Sequence, residues 1–312
     1  MAKTKTRRRA PVRPVQHPKP RPKQKPRYGW LAWGAILALS AVGAFLLARS
    51  QAGGGSDPVE PPAAGLPNTP DYHSLLVDPA DSGRIFLGTH AGLYESTDGG
   101  RSWEFAKLEG QDAMNLARAS GETVWTAGHN VLARSTDGGE TWEDVRPDGL
   151  PSLDIHGFAV DPRDPETLWA AVAGEGLYRS RDGGLSFELV SQEVGGGVMA
   201  LGVLPDGRIL AGDMGQGLLT SDNGGKRWQQ TLAAGLMGLA INPDDPKRIL
   251  ASGPGILLST DGGESWDEVQ SIQPGAGPVA WAPSDAQVAY VVGFDRKLYR
   301  TSDGGASWQA IG

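Results

Sequence analysis

Six copies of one short motif recur at nearly constant spacing over the C-terminal three quarters of the chain. The pattern is Ser-x-Asp-Gly-Gly-x-Ser/Thr-Trp, with Thr opening the sixth copy, Phe closing the third and Arg in place of Ser/Thr in the fourth. Its third position is occupied in turn by Asp98, Asp137, Asp182, Asn223, Asp261 and Asp303, at intervals of 38 to 45 residues. A period of about 40 residues is typical of one four-stranded propeller blade. The sequence therefore predicts an all-β fold, a six-bladed β-propeller of four-stranded antiparallel blades.

Each motif carries the chemistry of a self-supporting hairpin turn. The Asp carboxylate can accept N–H groups of its own loop, and the paired glycines can take positive φ angles. The aromatic residue offers a large apolar face that can pack beneath the turn. Because turn chemistry accounts for every residue of the motif, we interpret the six Asp or Asn residues as structural.

A second turn precedes each motif and completes the blade. Apolar runs end at pairs such as Asp78-Pro79 and Asn242-Pro243, and short apolar strands follow them. Each period thus predicts the same order of elements: strand, turn, strand, loop, strand, motif turn, strand. Residues 72–105 and 278–311 already hold complete first and last blades. We therefore expect the ring to close by side-chain packing between them, with an extra strand from residues 59–66 as the alternative.

Six in-phase copies resemble the Asp-box, or bacterial neuraminidase repeat, propellers. This superfamily includes sialidases, sortilin-like receptors and photosystem II assembly factor-like proteins, and the resemblance covers about residues 70–312. It implies that the motifs lie on blade edges, away from the ligand face. Unrelated activities share this repeat, so the resemblance specifies the fold far more narrowly than the function.

The N-terminal part of the chain predicts a membrane anchor. Residues 2–27 hold eleven Lys or Arg and no acidic residue, and an uncharged apolar run follows that is long enough to cross a bilayer as a helix. We expect a basic, Pro-rich cytoplasmic tail over 1–27, a transmembrane signal anchor over 28–48, a Gly/Pro-rich linker over 49–70, and an extracytoplasmic propeller over 71–312. A cleaved signal peptide is the alternative.

Charge and composition limit the classes of partner and cofactor that the sequence predicts. The whole chain carries a net charge of −7, so the part after the basic tail carries about −18 and favours basic partners. The tail's cations are explained by membrane topology, and no specific nucleic acid is predicted. The chain has no cysteine and no phosphate-binding glycine loop, and no cofactor is predicted.

In a propeller, the inter-blade connections and the loops between second and third strands share one rim, where ligands usually bind. Alignment of the periods places His73 and His156 with Met199 and Met237 near the start of the innermost strand, and His90 and His129 with Asp295 in the rim loops. The candidate ligand-rim residues are His73, His90, His129, His156, Glu175, Asp213, Asp295 and Arg296. Imidazole and thioether ligands suit copper, which is one interpretation. The other is that inner-strand side chains fill the channel and the loop histidines are solvated.

The residues that sialidase chemistry requires are not apparent. The resemblance implies three arginines that bind the substrate carboxylate and a Tyr/Glu nucleophile pair, whereas only Arg296 is a convincing rim arginine. Generic glycoside hydrolysis needs two carboxylates, for which Glu175 and Asp213 are conceivable. We therefore expect a non-catalytic recognition or assembly propeller that binds a protein or peptide outside the cytoplasm. A sialidase-like glycoside hydrolase and an extracytoplasmic metal-binding propeller are the alternatives.

Overall fold

The computed structural model describes residues 65–194 and 196–311. They form 24 β-strands in six sheets, and every sheet contains four antiparallel strands in chain order. The all-β, six-bladed prediction is confirmed. The tail 1–27, the anchor 28–48 and most of the linker 49–70 lie outside the described residues. In the described part of the chain, no helical segment has the length and apolar character needed to cross a bilayer.

The first three blades contain twelve strands. Blade 1 consists of β1 (Ser74–Val77), β2 (Ile85–Thr89), β3 (Gly92–Ser96) and β4 (Glu104–Lys107). Blade 2 consists of β5 (Asn115–Arg118), β6 (Val124–Gly128), β7 (Val131–Ser135) and β8 (Glu143–Asp144). Blade 3 consists of β9 (Ile155–Asp161), β10 (Asp164–Val172), β11 (Gly176–Ser180) and β12 (Glu188–Ser191).

The last three blades repeat this order. Blade 4 consists of β13 (Val198–Val203), β14 (Ile209–Asp213), β15 (Gly217–Ser221) and β16 (Gln229–Leu232). Blade 5 consists of β17 (Gly238–Ile241), β18 (Ile249–Ser252), β19 (Gly255–Ser259) and β20 (Asp267–Ser271). Blade 6 consists of β21 (Ala276–Ala282), β22 (Asp285–Gly293), β23 (Leu298–Thr301) and β24 (Gln309–Ile311).

The first strands of neighbouring blades contact one another around the ring, so β1, β5, β9, β13, β17 and β21 surround the centre. Because the strands alternate in direction, the six motif hairpins lie on one rim, called here the box rim. The loops between second and third strands and the inter-blade connections lie on the opposite rim, called here the upper rim. Apolar clusters fill the spaces between blades, as where Trp125 of blade 2 packs with Phe158 of blade 3.

The motif turns hold themselves together as the sequence predicts. In blade 1, Ser102 donates its backbone N–H to Asp98 Oδ1 at 2.9 Å and its hydroxyl to Asp98 Oδ2 at 2.6 Å. The glycine pair has φ angles of +76° at Gly99 and +87° at Gly100, and Trp103 donates its indole N–H to the Gly100 carbonyl at 3.1 Å. The backbone bond to the residue four positions on recurs at 2.8 to 3.0 Å for Asp137, Asp182, Asn223, Asp261 and Asp303. Each of these six residues therefore stabilises its own turn.

Blades 1 and 6 close the ring through a shared apolar cluster. Leu75 and Ile85 of blade 1 pack in it with Tyr290 and Leu298 of blade 6. The Tyr290 hydroxyl also donates to the Ser82 carbonyl at 3.0 Å, across the seam. Both blades are complete four-stranded sheets, as expected. Of the alternative closing segment, residues 59–64 lie outside the described residues, and residues 65 and 66 are not in a strand.

Candidate functional site

Four histidines meet on the upper rim, where blades 1, 2 and 3 adjoin. His73 and His156 stand at the start of the inner strands β1 and β9, while His90 and His129 follow β2 and β6. Neighbouring imidazoles lie against each other, with ring centroids 4.3 Å apart for His73 and His90, 5.8 Å for His90 and His129, and 5.0 Å for His129 and His156. We call these four residues the histidine row. The structure thus brings together side chains that are up to 83 positions apart in the sequence.

Three carboxylates that the sequence analysis overlooked alternate with the imidazoles. Asp71, Asp112 and Asp154 lie in the connections that lead into β1, β5 and β9. Each stands two positions before the His or Met of its inner strand, in the pattern Asp-x-His/Met. Alignment of the inter-blade connections would have revealed this pattern. Alignment on the turns does not reveal it, because the turns lie at the other ends of the strands.

At the blade 1 end, Asp71 holds His90 and His73. It accepts the backbone N–H of His90 at 3.0 Å and contacts the His90 Nδ1 atom, while its Oδ1 lies 3.4 Å from His73 Nε2. Burial disfavours the ionised carboxylate, but the hydrogen bonds from His73 and His90 outweigh it and hold the pKa of Asp71 well below its usual range. Asp71 is therefore a charged anchor for this end of the row.

In the middle, Asp112 lies between His90 and His129. Its Oδ2 contacts His129 Nδ1 and lies 3.3 Å from His90 Nε2. Its side chain is only 8% exposed, and its Oδ1 has no hydrogen-bond partner among the described residues. The hydrogen bond to Asp112 raises the pKa of His129, and the bond to Asp71 with the nearby Asp112 charge raises the pKa of His90.

At the blade 3 end, His129, Asp154 and His156 converge. The His129 and His156 Nε2 atoms are 3.1 Å apart, and Asp154 Oδ1 lies 3.4 Å from the first and 3.1 Å from the second. Burial lowers the pKa of His156, in contrast to His129. Three trios along the row offer donor atoms close enough to share a metal ion: Asp71, His73 and His90; His90, Asp112 and His129; His129, Asp154 and His156.

The centre of the ring is nearly filled. A cavity of about 70 Å³ remains there, lined by inner-strand residues that include His73, Met114, Met199 and Met237. Of the equivalent inner-strand positions in the aligned periods, His73, Met199 and Met237 therefore line this cavity. Three methionines, Met114, Met199 and Met237, thus lie around the centre of the ring.

The two carboxylates considered for hydrolysis line one groove on the upper rim, between blades 3 and 4. Glu175 lies in the β10–β11 turn and Asp213 ends β14, and the groove measures about 720 Å³. Asp213 is 3% exposed, and its Oδ1 accepts the backbone N–H groups of Gly215 at 2.7 Å and Gln216 at 2.8 Å. Asp213 therefore shapes its own loop, while Glu175 is exposed to solvent.

The last two candidates are engaged elsewhere. Asp295 accepts the Tyr299 hydroxyl at 2.8 Å and lies 3.5 Å from Lys297 Nζ. Arg296, in the left-handed region with φ of +66°, donates to Asn68 Oδ1 at 2.9 Å. The periods align Asp295 with His90 and His129, but the contacts found for it lie within its own β22–β23 hairpin. Arg296 joins blade 6 to the segment that leads into blade 1.

Comparisons with known proteins agree with this architecture. A solved YCF48 structure with a bound D1 peptide is 22% identical, covers 80% of this chain and 82% of its own, and has a TM-score of 0.51. YCF48 from Cyanidioschyzon merolae is 19% identical, with coverages of 77% and 84% and a TM-score of 0.51. A GH74 xyloglucanase from Xanthomonas campestris is 21% identical and covers 77% of this chain, with a TM-score of 0.56. The chain spans 45% of that enzyme. No curated protein matches the sequence.

At these identities, the solved structures show that the fold is shared. The assignment to a family rests on a sequence model described as photosynthesis system II assembly factor YCF48, which matches residues 74–310. The match runs from the first residue of β1 into β24, through all six blades. The chain therefore belongs to the YCF48 family of photosynthesis system II assembly factors.

Proposed function

We propose that this protein is a membrane-anchored, non-catalytic assembly propeller that binds an extended segment of a partner protein outside the cytoplasm. The observation that carries the proposal is the groove between blades 3 and 4. Its volume of about 720 Å³ is within the range of protein binding clefts, and it opens on the rim opposite the motif turns. The proposed occupant is a peptide with Lys or Arg side chains.

The lining of the groove supports a peptide. Glycines at 174, 176, 196, 197 and 215 form much of its wall, so main chain rather than side chains faces the groove over much of its surface. Met214 is 46% exposed and offers a flexible apolar contact that adapts to different side chains. Main-chain bonds supply affinity to an extended peptide, and side-chain contacts supply its specificity.

The charge of the groove favours a basic occupant. Glu175 and Glu193 are both exposed at its edge, and the described residues that line it include no Lys or Arg. A peptide with Lys or Arg would gain Coulomb attraction here, mainly as a faster association rate that decreases with salt. The YCF48 structure with a D1 peptide supports a peptide ligand, since that relative shares both family and fold.

Site-specific photocrosslinking in intact membranes tests the proposal. A photoreactive amino acid replaces Met214 in the full-length protein, and a matched variant carries it at Leu185, an exposed apolar residue on the box rim of the same blade pair. We expect one discrete protein adduct from position 214 and none in common with position 185. We also expect Glu175→Gln with Glu193→Gln to reduce the adduct several-fold, and Glu264→Gln, an exposed acid on the box rim, to leave it unchanged. Equal labelling from both rims would refute the proposal.

Glycoside hydrolysis is the second candidate, because Glu175 and Asp213 line one groove and a GH74 enzyme shares the fold. Two carboxyl groups about 5 to 10 Å apart are the requirement for such chemistry. However, Asp213 is buried and already accepts two N–H groups from its loop. A panel of fluorogenic glycosides separates the two functions: turnover that disappears in the Glu175→Gln variant would replace the peptide-binding proposal.

The anchor and its orientation are tested separately. If residues 28–48 span the membrane, the protein should remain in the pellet after alkaline carbonate extraction. Protease added to the outside of intact cells or spheroplasts should degrade the propeller. Release by carbonate, or protection until the membrane is permeabilised, would contradict the proposed location but leave the peptide-binding groove unaffected.

A further inference from the structure

We propose that His129, Asp154 and His156 bind a divalent transition-metal ion, Zn²⁺ in the first place, on the upper rim between blades 2 and 3. The ligand atoms are the two Nε2 atoms and Asp154 Oδ1. This site is independent of the peptide groove between blades 3 and 4.

The separations among the three atoms suit a common ion. Zn²⁺ takes nitrogen and carboxylate ligands at about 2.0 to 2.2 Å in tetrahedral geometry, which places neighbouring ligand atoms about 3.3 Å apart. The measured separations are 3.1, 3.4 and 3.1 Å. Two imidazoles and one carboxylate leave a fourth position for water. The mixed nitrogen and oxygen set is unlike the all-oxygen sites of Ca²⁺ and Mg²⁺.

Asp112 fixes the orientation of the His129 ring through Nδ1, the ring nitrogen that does not face the proposed metal. It contacts His129 Nδ1, so the proton of the neutral ring belongs on Nδ1 and the Nε2 lone pair points at Asp154 and His156. Metal-ligating histidines commonly donate their other N–H to a carboxylate in this way. Asp112 Oδ1 is buried without a partner in the described structure, and a nearby cation would offset the cost of burying that charge.

The backbone holds the three ligands in place. His129 and Asp154 form a β-bridge between the blades, and the Asp154 carbonyl accepts the Ala173 N–H at 2.8 Å. The Asn115 amide donates to the His156 carbonyl at 3.1 Å. Because these contacts, together with Asp112 at His129 Nδ1, position the ligands, little reorganisation would accompany metal binding.

The other two trios along the histidine row suit a metal less well. In each of them, the carboxylate lies in closer contact with one imidazole than two ligands of a single ion would, at Asp71 with His90 and at Asp112 with His129, whereas Asp154 Oδ1 and His156 Nε2 are 3.1 Å apart. The trio at blade 3 alone among the three has every pair of donor atoms separated by more than 3 Å. His90 is therefore expected to support the site through Asp112 rather than bind the ion.

Isothermal titration of the full-length protein with Zn²⁺, purified in mild detergent without a polyhistidine tag, tests the site. We expect one tight Zn²⁺ ion per chain and at least tenfold weaker binding in both His156→Ala and Asp154→Asn. Asp112→Asn should weaken binding by about 10- to 100-fold as a positioning residue. His73→Ala, at the far end of the same row, is the matched control and should bind as the parent does.

Two further readouts keep the test decisive. Circular dichroism should show that every variant remains folded, and X-ray absorption of the zinc complex should show nitrogen or oxygen neighbours and no sulfur. Cu²⁺ should depend on the same residues, since it binds such ligands more tightly than Zn²⁺ does. Unchanged zinc affinity in His156→Ala and Asp154→Asn, or equal loss in His73→Ala, would overturn the proposal.

Discussion

The paired glycines of the first motif differ in what an added methyl group would meet, and this difference predicts unequal effects of the same substitution. A Cβ at Gly100 would lie 2.1 Å from Leu298 Cδ2, across the seam between blades 1 and 6. A Cβ at Gly99 would have no neighbour closer than 3.8 Å. Both residues have positive φ, so alanine suffers similar backbone strain at either position.

The expected losses of stability follow from the backbone strain and from the steric clash with Leu298. The left-handed backbone costs about 1 to 2 kcal/mol for a residue with a Cβ, and this is the whole expected loss in Gly99→Ala. Gly100→Ala adds overpacking of about 1 to 3 kcal/mol, because Leu298 is 1% exposed and its side chain would have to shift within the buried cluster. We expect Gly100→Ala to be the more destabilising by about that amount, or about 2 to 4 °C in Tm for each kcal/mol.

Thermal and urea unfolding of the full-length variants measure the difference. Gly138→Ala is a control for backbone strain alone, since a Cβ there has no neighbour within 4 Å. The Gly100→Ala and Leu298→Ala double variant should lose less stability than the sum of the two single variants, because the smaller side chain removes the clash. If Gly99→Ala and Gly100→Ala are equally destabilised, or the double variant is strictly additive, the assigned seam contact is wrong.

Two further predictions concern the motif carboxylates and the seam. Hydrogen bonds from Ser265 and Ser259 lower the pKa of Asp261 to about 2, so its stabilisation is present above about pH 4 and is lost as the pH falls through about 2. Asp261→Asn gives this motif the residue type that the fourth motif has at Asn223. The variant should have a lower Tm at pH 7 and a smaller decline in Tm between pH 4 and 2. Parallel curves of Tm against pH for parent and variant would contradict this. Tyr290→Phe should cost about 0.5 to 1.5 kcal/mol in urea unfolding, because it removes the 3.0 Å bond to the Ser82 carbonyl. An unchanged unfolding midpoint would show that this bond does not stabilise the closed ring.

The blades could be predicted because their determinants are local. The bonds that the Asp, Ser and Trp side chains make in a motif turn join residues within about four positions, as from Ser102 to Asp98, and the glycine and aromatic positions follow from the same turn. The same local turn pattern occurs six times in the sequence, which makes it easy to recognise. The turns, the strand order and the number of blades can therefore be predicted from the sequence.

The candidate sites were predictable only in part. Period alignment placed the four histidines on one rim, because equivalent positions of a repeat occupy equivalent places. It missed Asp71, Asp112 and Asp154, whose relation to the histidines is visible only where one blade meets the next. It also grouped Asp295 with His90 and His129, although the contacts found for Asp295 are with Tyr299 and Lys297.

The sequence by itself determined the repeat, the self-stabilised turns and the all-β propeller, since these depend on bonds between near neighbours in the chain. Only the tertiary structure decided which residues come together across blades: the carboxylates between the imidazoles, Glu175 and Asp213 in the lining of one groove, and Tyr290 against Ser82 at the seam. The physical reason is that closure of the ring fixes distances between residues tens to hundreds of positions apart, and a difference of about 1 Å there separates a hydrogen bond from a metal site.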